Sequence, residues 1–137
     1  MNQLAVYVLF IIVYIILDLI WLKGGSSLHQ STYESVTRTK QQINLNYQAG
    51  FLFYLIAPLA YFLLIKPLVE AKEAKLSYVF GYGALIGLLM YGAYDLTSKA
   101  VYNEAYPWSY ALFDMTWGCF VFGLVSTIVF TVEQNHQ

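Results

Sequence analysis

Three aspartates stand inside otherwise apolar sequence: Asp18 in YIILDLIW, Asp95 in YGAYDLTSKA and Asp114 in YALFDMTW. Tyr14, Tyr91 and Tyr110 each precede one of them by four residues, and Trp21 and Trp117 follow two of them by three. Positions i, i+4 and i+7 share one face of a helix, so each acid is flanked on its own face by groups that donate hydrogen bonds. A carboxylate at the centre of a membrane helix costs roughly 2.5 to 3.5 kcal/mol on insertion scales and less near the interface. Three of them require an explanation.

Two explanations fit the residue types. In the first the acids fix helix packing: Asp95 pairs with Lys99 four residues on, Asp18 reaches Lys23, and Asp114 accepts from a tyrosine or tryptophan of a neighbouring helix. In the second they form the floor of a polar pocket, with Thr97, Thr116, Tyr14, Tyr91, Tyr110 and Trp117 around Asp18, Asp95 and Asp114, since an ionisable group inside a membrane marks a functional site by default. Such a pocket suits a hard divalent cation held by oxygen ligands, a proton relay or cationic substrate, or acid–base chemistry on a lipid headgroup. His29 and His136 lie outside the apolar runs and Cys119 stands alone, so no zinc or iron site is expected and no cofactor is indicated. No nucleophile motif, phosphate loop or zinc-protease signature names a reaction. His29 reads as a solvated side chain, and Tyr47, Tyr54 and Tyr61, spaced by seven, read as a packing stripe.

The elements that position these acids are membrane helices. Of 137 residues 59% are hydrophobic and only 11% charged, with a mean hydropathy of +0.56; soluble domains carry about 25% charge. Apolar runs predict helices over about 4–22, 47–69, 76–98 and 107–132, each long enough to cross a bilayer. The first is too long for a signal-peptide core and no basic residue precedes it. Pro58 predicts a bend that widens the bundle on one side. Gly83 and Gly87 form a small-x-x-x-small pair suited to close helix packing. Residues 23–46 are polar and read as a partly ordered loop, and Lys66 to Lys75 as a short charged turn. A net charge of −1 excludes a general nucleic-acid partner. Lysine and arginine divide four to three between the two sides, a margin that sets no orientation.

The run YDLTSKA from Tyr94 to Ala100, then Trp108, then DMTWG from Asp114 to Gly118, resembles the signature of a bacterial family of small four-helix integral membrane proteins of unassigned function. Leu17-Asp18-Leu19-Ile20-Trp21-Leu22 fits the same family, so the likeness covers most of the chain. Ser98 stands where that family usually has asparagine. The resemblance implies fold and location and supplies no reaction.

Together these readings give an all-α, integral membrane antiparallel four-helix bundle, one domain over 1–137, multi-pass in the cell membrane. Four crossings put both termini on one side and all three acids in the leaflet on the other. The expected activity is binding of a small polar, cationic or lipid headgroup ligand in the acidic pocket, with a transport or lipid-metabolic accessory role. A membrane enzyme acting on lipid and an assembly subunit without ligand are the alternatives. Membrane lipid is the expected partner, and a transport role would require a homo-oligomer, because four helices are few for a pore.

Overall fold

A computed structural model describes residues 1–71 and 75–136. Lys72, Glu73 and Ala74 of the expected charged turn, and Gln137 of the tail, lie outside the described residues. Among the described residues four helices are long and apolar enough to span a membrane: α1 (Gln3–Gly24), α3 (Tyr47–Ala71), α4 (Leu76–Tyr102) and α5 (Trp108–Gln134). A fifth, α2 (Ser26–Thr37), lies between the first two. Asn2 starts α1 by accepting from the Ala5 amide at 2.8 Å, and Asn46 starts α3 by accepting from Ala49 at 3.0 Å, each satisfying a donor that the first turn leaves free.

The helix α5 is the centre of the bundle. Of its most apolar stretch 44% is buried, against 22 to 28% in the other three spans. Against it packs α4, through glycines on both sides. A Cβ on Gly87 would lie 2.0 Å from the Gly118 carbonyl oxygen, and one on Gly83 2.8 Å from Gly123 Cα, so the pair of small residues read from the sequence is the seam between two helices of this chain. Opposite α5 stands α1, whose Val6, Phe10, Tyr14 and Asp18 are buried while Ile12, Ile16 and Ile20 are at least half exposed. In a bilayer that outer face meets hydrocarbon. Partner numbers rise on one helix as they fall on the next (Asp18 with Trp117, Trp21 with Asp114; Gly83 with Gly123, Gly87 with Gly118), the pattern of neighbours running in opposite directions.

The span α3 is broken. Pro58 has no amide hydrogen, which leaves the Tyr54 carbonyl without its helical donor. Helical bonding resumes in a widened turn over Tyr61–Ile65, where the Lys66 amide donates five residues back to Tyr61. Beside the break the Tyr7 hydroxyl donates to the Leu55 carbonyl, a neighbouring helix satisfying a group that lipid cannot. Above the break, Tyr47–Ile56 has no buried residue. Below it, Tyr61, Ile65, Lys66 and Val69 are buried, so Lys66 belongs to the helix and not to the expected turn.

The expected loop over 23–46 contains a helix. It takes up the first part of that stretch and stops at Arg38, whose φ of 56° is left-handed. Its sequence is too polar to announce a buried face. Tertiary bonds hold it instead: Gln30 donates to the Gln41 carbonyl at 2.9 Å and accepts from the Ile43 amide at 3.2 Å.

Candidate functional site

Asp18 is the most fully bonded of the acids. Its Oδ2 accepts from the Tyr54 hydroxyl at 2.6 Å, and its Oδ1 from Trp117 Nε1 at 2.9 Å and the Tyr91 hydroxyl at 3.5 Å. Tyr91 in turn meets the Tyr14 hydroxyl at 2.7 Å. Four helices therefore converge on one carboxylate. Asp114 accepts from Trp21 Nε1 at 3.1 Å. The two Tyr-x-x-x-Asp-x-x-Trp motifs are thus exchanged: the tryptophan of each helix serves the aspartate of the other. Their indoles stack between the acids, 5.4 Å apart and 13° from parallel.

Asp95 is sealed, with no solvent exposure. One oxygen accepts from the Tyr106 hydroxyl at 2.6 Å, and Oδ2 has no hydrogen-bond partner among the described residues. The register of the α4–α5 seam, with Tyr91 against Gly118 and Gly92 against Met115, sets Asp95 opposite Asp114. Tyr106 lies in the turn between α4 and α5, outside the spans; burial first, and its bond to Asp95 second, push its phenol above the ordinary tyrosine range.

Several expected contacts are replaced by others. Lys99 does not pair with Asp95: its Nζ donates to the Asn103 carbonyl at 2.8 Å and sits 5.4 Å from the Trp108 ring centroid. Lys23 is exposed and makes no ion pair with Asp18 among the described residues. Asp114 does take its bond from a tryptophan, the third of the packing contacts expected. Thr97 and Thr116 are exposed and spend their hydroxyls on their own helices, Thr97 on the Tyr94 carbonyl at 3.1 Å and Thr116 on Leu112 at 2.7 Å, a back-bond typical of helical threonine. Neither faces the acids. Tyr110 bonds His29 Nδ1 at 2.8 Å rather than Asp114.

His29 is accordingly not a solvated side chain. It packs edge-on against Trp21 and Tyr110, with centroids 5.2 and 5.6 Å away, and its Nε2 is buried without a partner among the described residues. Gly25 leaves room for it: a Cβ there would meet Nε2 at 3.1 Å. Tyr54 and Tyr106 are the other contributors missed in sequence. Tyr54 carried a signal, because the stripe of tyrosines places Tyr54 on Asp18 and Tyr61 on Glu133. Tyr106 carried none, since a turn decides where it points.

A cleft of about 360 Å³ opens beside this cluster, lined by Phe53, Met90, Tyr91, Tyr94 and Asp114. Phe53 belongs to the unburied upper part of α3 and is 39% exposed, and Tyr94 is 62% exposed, so the cleft opens sideways, where lipid lies. Asp114 lies six residues, or about 9 Å, past the start of α5, at the same end of the bundle as Asp18 and Asp95. Among the described residues no group of three or more histidines, cysteines, aspartates or glutamates is arranged to hold a metal ion.

A family model described as a predicted membrane protein (DUF2177) matches residues 3–131, which include all four spans almost entirely. No curated protein and no solved structure matches the chain. With the match running from the first turn of α1 nearly to the end of α5, this multi-pass protein belongs to the DUF2177 family of predicted membrane proteins.

Proposed function

We propose that the protein binds a cationic amphiphile from the bilayer, with the ammonium head at Asp114 and the hydrocarbon tail leaving through the side of the cleft. The observation that carries this reading is the composition of the cleft wall: one carboxyl among Phe53, Tyr91, Tyr94 and Met90. Aromatic faces around a carboxylate are the chemistry that recognises substituted ammonium ions, and the volume falls within the range of small-molecule sites. Anionic heads would meet Asp114 as a like charge. The cleft offers a carboxyl and two phenols, a set suited to holding a ligand, and the reading is of a binding protein with a carrier or lipid-metabolic accessory role.

A second reading has its own support. Asp18, saturated by three donors from three other helices, has the environment of a structural group. The two readings apply to different acids. Protein in nanodiscs of neutral lipid, titrated with dodecyltrimethylammonium, should show a saturable change in tryptophan fluorescence, because Trp21 is bonded to Asp114, where the ammonium head would sit. Asp114→Asn should weaken that response about tenfold or more, equivalent to about 1.4 kcal/mol. Equal affinity in wild type and variant would refute the assignment.

A further inference from the structure

The second oxygen of Asp95 stands out among the polar atoms of this molecule. It belongs to a side chain with no solvent exposure, its sister oxygen already accepts from Tyr106, and no donor among the described residues reaches it. Opposite it across the α4–α5 seam, one turn beyond the place where Tyr91 lies against Gly118 and beside that where Gly92 faces Met115, stands another carboxyl, that of Asp114. Two ionised carboxylates in that position repel, and neither donates. One proton removes both difficulties, because it turns one carboxyl into a donor and leaves the other as its acceptor.

Trp21 donates to Oδ1 of Asp114; among the described residues the other groups around the pair supply neither a donor to Oδ2 of Asp95 nor a countercharge. Asp18 on α1, Tyr94 on α4 and Tyr110 on α5 add acidic or neutral groups nearby, Tyr106 is committed to the first oxygen of Asp95, and His29 on α2 is committed to Tyr110. Lys99, one turn beyond Asp95, is turned to the Asn103 carbonyl and the Trp108 ring. Among the described residues no basic side chain forms an ion pair with either carboxyl.

We infer that Asp95 and Asp114 hold one shared proton, and that a cation entering the cleft at Asp114 displaces it. Charge balances: the pair carries one negative charge with the proton and two without it, and the entering cation restores the total. The second half of the inference rests on the binding reading above, the first half does not. Cation occupancy and proton release are then one event.

Infrared spectra of the protein in liposomes test the pair directly. At neutral pH the wild type should show a protonated carboxyl stretch that shifts down in D2O. Asp95→Asn and Asp114→Asn should each abolish it, since the new amide donates to the remaining carboxylate, and Asp18→Asn should leave it in place. Absence of the band in the wild type, or its survival in either of the first two variants, overturns the shared proton, and the wild-type measurement does so without any variant. Dodecyltrimethylammonium carries no proton of its own, so a pH-sensitive dye should record about one proton released per cation bound. Binding without release overturns the displacement. No binding at all sinks the amphiphile reading, and the infrared band still decides the pair.

Discussion

Asp95 and Tyr106 show how a single side chain outside the membrane spans governs a charge within them. Tyr106→Phe removes the hydroxyl donor to Asp95 and should cost about 1 to 3 kcal/mol, the usual penalty for a buried acceptor losing its partner, read as a lower melting temperature in detergent. The phenol itself should impose a pH dependence. Its folded pKa is raised above the unfolded value of about 10, by burial first and by the Asp95 bond second, so its contribution is complete below that value and lost as pH rises past it. Melting temperature measured from pH 7 to 11 should be level at first and then fall above about pH 10, and Tyr106→Phe should make the fall shallower. Residue types announced the acids, and composition announced that they lie in lipid. Their partners were less visible, because i, i+4 spacing puts Tyr14 and Tyr110 on the same face as an aspartate without aiming either at it. Both reach across to other elements, Tyr14 to Tyr91 and Tyr110 to His29.

Among the elements, the α4–α5 seam and the break in α3 decide the shape of the site. Gly118 allows the Tyr91 ring to lie across α5, since a Cβ there would come within 2.3 Å of Tyr91 Cγ. Gly118→Ala and Gly87→Ala should each destabilise by roughly 1 to 3 kcal/mol, as overpacking does, while Gly81→Ala, with nothing within 4 Å of its added Cβ, should be neutral or slightly stabilising; thermal melts of the three variants check this. The four spans were legible because apolar runs of that length have few other uses. The small helix α2 was not, because bonds to the segment after it and to Tyr110, rather than an apolar face, keep it in place. The interruption at Pro58 was legible, but the widened turn that follows it depends on how the neighbouring helix accommodates the lost bond.

At the scale of the whole molecule the two ends of the bundle hold different polar clusters. Opposite the aspartates, on the side where the Met1 amine meets the His136 carbonyl, Lys66 and Glu133 form a buried ion pair at 2.5 Å, with Tyr61 3.4 Å from the same carboxylate. In sequence these two residues fell in a turn and a polar tail, since nothing local shows that they meet. This cluster is closed on itself and locks α3 to α5. Lys66→Met alone should cost about 3 to 5 kcal/mol, because it strands Glu133, whereas Lys66→Met with Glu133→Leu should recover most of that loss; chemical denaturation of the single and double variants distinguishes the two cases.

The aspartate cluster differs in having one member open to a cleft, and that difference is the basis of the functional reading. Measuring stability and dodecyltrimethylammonium affinity together for Asp18→Asn and Asp114→Asn tests it most directly. Asp18→Asn should lose about 1.5 to 3 kcal/mol, the worth of a hydrogen bond to a charged group, while binding the cation as the wild type does. Asp114→Asn should fold with near wild-type stability, its amide still accepting from Trp21, and lose the cation. If both variants lose stability alike and neither loses affinity selectively, the acids serve helix packing alone and the binding site does not exist.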